Sequence, residues 1–158
     1  MRLYRPVGLY ELAKIAALDF RAYPPRNPEQ PIFYPVLNRP YAEEIASRWN
    51  PPDPNSGFAG FVTTFVVPDA AVARFPRKVV GASRHEELWV PAEDQAWLQA
   101  QFEGPIEVVA GWAGARLREA LPSWRGSDGA VAVDALQGLV EAVAAGPVVG
   151  GPQTEDPQ

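Results

Sequence analysis

The order of apolar patterns along this chain predicts an α+β domain with a sheet of short strands. Three observations carry that reading. Short runs rich in β-branched and aromatic residues, at 3–7, 32–38, 58–67 and 85–91, have the character of strands. Between them lie segments whose apolar residues recur at helical spacing, near 8–18, 41–49 and 92–103. Their succession is strand, helix, strand, helix, strand, strand, helix, strand, which lacks the regular alternation of a doubly wound fold. No Gly-X-Gly-X-X-Gly follows a strand and no Walker loop is present, which argues against a Rossmann or P-loop nucleotide site.

Taken in order, residues 3–7 read as a first strand. Residues 8–18 read as an amphipathic helix with Leu12, Ile15 and Leu18 inward. A second strand is expected at 20–23. Four prolines fall within the eight residues 24–31, so this stretch is neither helix nor central strand but an ordered or extended loop. Its neighbourhood offers Arg21 and Arg26 as cations able to reach over a cleft. An apolar strand at 32–38 is interrupted by Pro35. Pro40 then suits the first position of a helix over 41–49, on which Ile45 and Trp49 lie four apart. Three prolines make 50–57 a turn-rich linker, and 58–67 is the longest strand-like run. Asp69 is placed to cap a short helix over 69–75. Val79 and Val80 form a short extended piece.

The densest unit follows. A strand at 85–91, a helix at 92–103 and a strand at 104–109 put Glu86 and Glu87 at the mouth of a strand otherwise made of large apolar residues. Strand side chains alternate faces, so Leu88 and Val90 share the face of Glu86 while Trp89 shares that of Glu87. The pattern leaves open which face is buried. Beyond Trp112 the composition shifts to Ala, Gly, Val and Arg. A helical extension is expected over 113–145 and a flexible tail over 146–158, behind a main domain at 1–112.

Composition narrows the function. At 158 residues the chain suits one core plus a tail. Lys and Arg number 14 against 19 Asp and Glu, a net charge of −5, which argues against nucleic acid as a partner. There is no cysteine, so disulfides, zinc-thiolate sites and thiol nucleophiles are excluded, in keeping with a cytoplasmic setting. The first residues lack the apolar run of a signal peptide, and no stretch approaches the roughly 20 apolar residues of a membrane helix. Neither export nor a membrane partner is therefore expected. His85 is the single histidine, so a His-rich metal site or a Ser-His relay is hard to build, and no metal is expected. Chemistry must run on carboxylates, Tyr, Arg and hydroxyls.

Several segments together bring a family into view. Tyr4-Arg5-Pro6-Val7, Pro24-Pro25-Arg26, residues 30–38, Tyr41-Ala42, Ile45-Ala46 and residues 87–93 resemble a family of small bacterial proteins often labelled "ADP-ribosylation/crystallin". The likeness covers roughly residues 2–112. More distantly, the layout is similar to the ADP-ribosyltransferase fold, a split β-sheet core with short flanking helices. That resemblance implies NAD as substrate. It assigns Arg5, on the first strand, to hold NAD, Tyr34 with Asn38 and Tyr41 to frame the nicotinamide, and Glu87 to orient the nicotinamide ribose as the catalytic acid. Arg26 is added as a phosphate-binding candidate. The chain departs from the pattern in two ways: the middle strand lacks a Ser-X-Ser signature, and no second Glu stands two residues from Glu87.

The residue types suit such a reaction. Cleavage of the nicotinamide glycosidic bond passes through an oxocarbenium-like state that a nearby carboxylate stabilises. An Arg pairs with a pyrophosphate, and an aromatic ring stacks on nicotinamide. Each residue also has a purely structural reading: Arg5 as an edge-strand arginine, Tyr34 and Tyr41 as core or rim aromatics, Glu86 as a solvated acid, His85 as a hydrogen-bonded surface histidine. The incomplete motif set and the Pro-rich loops equally suit an inactive module that binds a protein partner. A third reading gives the segment from Ala113 onward a partner-docking or regulatory role.

Overall fold

The structure, a computed structural model, describes residues 1–82 and 85–116. Helix and strand are mixed in an α+β arrangement. Strand β1 (Arg2–Gly8) buries every second side chain, Leu3, Arg5 and Val7, and pairs antiparallel along its length with β3 (Ala59–Val66). Because β3 also pairs with β7 (Glu107–Ala113), it is the central strand, buried at all but its last residue. A residue-level shift between Val62 and Thr63 kinks the β3–β7 ladder.

A second run of pairing sits beside β1. Strand β2 (Ile32–Phe33) pairs with β6 (Val90–Pro91), and β4 (Arg77–Val79) with β5 (Glu86–Leu88). Ile32 faces Pro91, Phe33 faces Val90 and Val36 faces Glu87, so one antiparallel register runs through the whole of 32–36. Tyr34 therefore faces Trp89. The expected strand at 32–38 survives as β2 and a single bridging residue, because Pro35 has no N–H to give and the ladder breaks around it. Val36 bridges both Tyr4 of β1 and Glu87 of β5, tying the two runs into the order β7-β3-β1-Val36-β5-β4.

Helices cover both faces. Leu9, Leu12 and Ile15 of α1 (Leu9–Ala17) pack with Leu3, Val7, Phe61 and Phe65, and so does Leu98 of α4 (Gln95–Ala100). On the opposite face α2 (Arg39–Arg48) sets Tyr41, Ala42 and Ala46 against Val36 and Val62. This helix approaches β3 so closely that a Cβ on Gly60 would collide with the Ala46 carbonyl.

Several expectations are corrected. Leu18 is 42 % exposed, because α1 stops at Ala17 and Leu18 follows it as the C-cap. The strand expected at 20–23 does not form. Asp19 and Phe20 both take left-handed backbone angles (φ 61° and 57°), which turn the chain, and the Tyr23 amide donates to the Gln99 side chain at 2.7 Å instead of to a strand. Helix α2 begins two residues before Tyr41, with Asn38 capping it, and ends at Arg48, leaving Trp49 66 % exposed. Asp69 is the first residue of a four-residue helix, α3 (Asp69–Val72), not its cap, and pairs with the N-terminal ammonium at 3.0 Å.

The helix expected at 92–103 is a 3₁₀ turn (Ala92–Asp94) leading into the shorter α4, and the chain reverses at Gly104 with φ 99°. The last strand starts later than 104 and runs to Ala113, since its pairing with β3 continues to Ala59. The helical extension and the tail fall, beyond residue 116, outside the described residues. Among the described residues no helix is long and apolar enough to cross a membrane.

Candidate functional site

A proline opens the sheet beside β1. Tyr4 exchanges both backbone bonds with Val36, at 3.0 and 2.7 Å. Outward-pointing backbone groups recur every second residue, so Pro6 is the next position of β1 to face residues 34–35. Pro6 has no N–H to give to Tyr34 across from it. Pairing stops there, and a cavity of about 390 Å³ occupies the gap. Pro6, Tyr34, Val36, Ile45, Glu87 and Trp89 line it from the α2 face, joined by Val80. Arg5 reaches it from the opposite face through the parted strands, and Arg26 with Gln30 closes it from the proline-rich loop.

Glu87 stands on the cavity wall with both oxygens held. The Tyr41 hydroxyl donates to Oε2 at 2.6 Å and the Trp89 indole N–H donates to Oε1 at 3.1 Å. An indole nitrogen can only donate, so Oε1 is an acceptor, and each carboxylate oxygen is engaged by a different side chain. Trp89 can reach because it lies two residues along the strand on the same face, while Leu88 and Val90 point into the core. Alternation had placed Trp89 with Glu87. The structure makes that face the cavity face.

Tyr41 is not a lining residue. It comes from the first turn of α2, where the Asn38 carboxamide accepts its amide hydrogen at 2.8 Å. Asn38 thus serves as a cap and likewise does not line the cavity. Behind the Tyr41 ring, His85 is stacked in parallel, with centroids 4.3 Å apart and planes at 10°, and its Nε2 lies 3.2 Å from Glu44 Oε1. Burial, then the bond to Glu87 and the charges of Glu87 and Glu44, push the Tyr41 hydroxyl well above its ordinary value of 10.0. It stays a phenol throughout the neutral range.

Tyr34 and Trp89, facing each other across the ladder, meet edge to face at 5.7 Å and 77° and form an aromatic corner of the cavity. Arg26 donates from Nε to the Ile32 carbonyl and from Nη2 to Gln30 Oε1, both at 2.9 Å, and so holds its own loop against the opening. Arg21 goes elsewhere. It pairs with Asp19 at 3.5 Å on the rim of a separate cavity of about 370 Å³ lined by Gln99, Phe102 and Pro105.

Arg5 is the most constrained of the site residues. It is 3 % exposed, and its Nε and Nη2 donate to the two oxygens of Glu11 at 2.8 and 3.2 Å. The guanidinium lies 5.1 Å from the Phe33 ring and 5.8 Å from that of Tyr23. Thr63 gives its single hydroxyl proton to the Arg5 carbonyl at 2.7 Å, so the Tyr23 hydroxyl, 2.7 Å from Thr63 Oγ1, is the donor of that pair. Burial raises the Tyr23 hydroxyl, like that of Tyr41, well above 10.0.

The cavity therefore gathers Arg5, Tyr34, Glu87 and Arg26, with Tyr41 one hydrogen bond behind and Asn38 at the foot of α2. Sequence reasoning missed Glu11 and did not name Trp89 as a site residue. The signal for Glu11 was available: Arg5 shares the inward face of β1 with Leu3 and Val7, and a buried guanidinium requires an acid nearby. Among the described residues no group of three or more His, Asp or Glu side chains is arranged to hold a metal ion. In comparisons with known proteins the chain matches no family model, no curated protein and no solved structure.

Proposed function

We propose that the chain is an NAD-dependent ADP-ribosyltransferase that cleaves the nicotinamide glycosidic bond and passes ADP-ribose to an acceptor or to water. One observation carries the reading: a carboxylate held by two neutral donors shares a single cavity with an aromatic corner and two arginines. A volume near 390 Å³ is within the range of small-molecule sites.

In this reading the nicotinamide ring lies against Tyr34 and Trp89. Glu87 has accepted one hydrogen bond on each oxygen and retains acceptor capacity for ribose hydroxyls. As the C–N bond breaks, its electron pair leaves with nicotinamide, positive charge grows on the ribose, and Glu87 stabilises it. The acceptor then forms the new bond to the ribose carbon and loses its proton. Arg26 takes the phosphate side of the ligand. Arg5 supports the site from below, since Glu11 already occupies two of its donors.

That same pairing favours the alternative of an inactive module for a protein partner: the arginine which the resemblance assigns to NAD is engaged by a buried acid. Calorimetry with NAD, followed by a nicotinamide-release assay in the same sample, separates the two. Binding with release, lost in Glu87→Gln, is the outcome expected of the transferase. Protein that neither binds NAD nor releases nicotinamide with any acceptor in lysate overturns it.

A further inference from the structure

We propose that Tyr41 is a positioning residue for the carboxylate of Glu87, acting through its hydroxyl and not through contact with the ligand. The inference rests on the reading of the cavity as an NAD site, and it goes beyond it by giving α2 a part in the reaction.

A glutamate has three rotatable side-chain bonds, and at a cavity wall it has many ways to point. Two donors remove that freedom. Trp89 is fixed to the same strand two residues away and holds Oε1, and Tyr41 holds Oε2 from a different element at 2.6 Å. The carboxylate plane is thus set by one contact from β5–β6 and one from α2. Tyr41 is itself anchored at three points. Asn38 holds its amide, the residue is only 7 % exposed between the helix and the sheet, and His85 stacks on its ring from behind. His85 is in turn tied to Glu44 one turn along α2.

The hydroxyl therefore arrives at Glu87 from a rigid support, as preorganised electrostatic stabilisation demands. A charge-assisted bond of this length is among the stronger hydrogen bonds in proteins. Removing it leaves Oε2 free to turn away from the ribose while the charge of Glu87 remains. The loss then falls on the transition state more than on ligand binding.

Tyr41→Phe deletes only the oxygen and keeps the ring stacked on His85. The expected result with NAD as probe is a fall in kcat for nicotinamide release on the order of 10- to 100-fold. KM should change by no more than about threefold, and the melting temperature by a few degrees at most. A second variant guards against loss of folding: a fluorinated tyrosine at position 41 keeps the shape and strengthens the donor, so kcat should shift while stability does not. Unchanged kcat in both variants overturns the proposal, as does an equal rise in KM that accounts for the whole loss. If the natural chain releases no nicotinamide, it is the NAD reading that fails. Positioning is then read from the carboxyl NMR resonance of isotope-labelled Glu87. Movement in Tyr41→Phe supports it, and an unmoved resonance overturns it.

Discussion

Two charged side chains meet the same opening in the sheet and are held in opposite ways. Arg5 lies on the α1 face, buried among Phe33, Tyr23 and Thr63, and is matched charge for charge by Glu11, itself only 2 % exposed. Glu87 lies on the α2 face, half-buried, and is held by a phenol and an indole that carry no charge. A charge matched by an opposite charge has most of its field cancelled and is fixed for the sake of the fold. A charge held by neutral dipoles is oriented but not neutralised, and remains able to act on a ligand.

The sharpest way to break this contrast is to remove the acid from the Arg5 side. Glu11→Ala strands a guanidinium in the core, and breaking a buried pair from one side typically costs about 3–5 kcal/mol. Urea denaturation should show a loss of that size. A cost under about 1 kcal/mol would mean that water reaches Arg5, and the two sides would no longer differ in kind.

Alkaline pH tests both sides at once. Burial holds the hydroxyls of Tyr23 and Tyr41 neutral to well above 10.0, the value each returns to in the unfolded chain. The folded state thus keeps a proton that the unfolded state releases. Stability is fully present below about pH 10 and falls as pH rises from there toward the folded values, by up to about 1.4 kcal/mol per pH unit for the fully buried Tyr23 and by less for Tyr41, whose hydroxyl sits beside the cavity. Tyr23→Phe and Tyr41→Phe should each remove part of that slope. Denaturation curves between neutral and alkaline pH, with tyrosinate absorbance recorded in parallel, measure it. A flat stability profile across that range counts against the burial of both rings.

The legibility of the molecule divides along the same line. The alternation of Glu86, Glu87, Leu88, Trp89 and Val90 was readable, and so were β1, the central strand and the Pro40 start of α2, because strand period and proline chemistry are local. The cap formed by Asn38 and the donor to Glu87 were not, since they depend on where α2 lies over the sheet. Tyr41 was grouped with the residues framing the nicotinamide, yet its hydroxyl meets a strand 46 residues further along the chain. The false strand at 20–23 was a four-residue stretch, Phe20-Arg21-Ala22-Tyr23, whose outcome was decided by tertiary contacts, with Tyr23 drawn inward by Thr63 and Gln99. Nor could local pattern reveal the opening itself, for it requires Pro6 to fall opposite Tyr34 of a segment that only the tertiary pairing brings beside β1.

The smallest expected change in stability carries the most discriminating comparison. Glu87→Gln keeps the shape of the side chain and removes its charge. The amide oxygen can still accept from the Trp89 indole, and the amide nitrogen can donate to the Tyr41 oxygen, so both contacts persist with one direction reversed. Stability should move by less than about 1 kcal/mol, far below the loss in Glu11→Ala. Nicotinamide release should nevertheless disappear, because the transition state needs the negative charge and not merely a hydrogen-bonding partner. Thermal denaturation and release, measured on the same preparation, make the comparison. A stable, inactive Glu87→Gln beside a destabilised Glu11→Ala separates the charge that serves chemistry from the charge that serves the fold. If Glu87→Gln instead loses stability as Glu11→Ala does, Glu87 is a structural acid, and the cavity has no catalytic carboxylate.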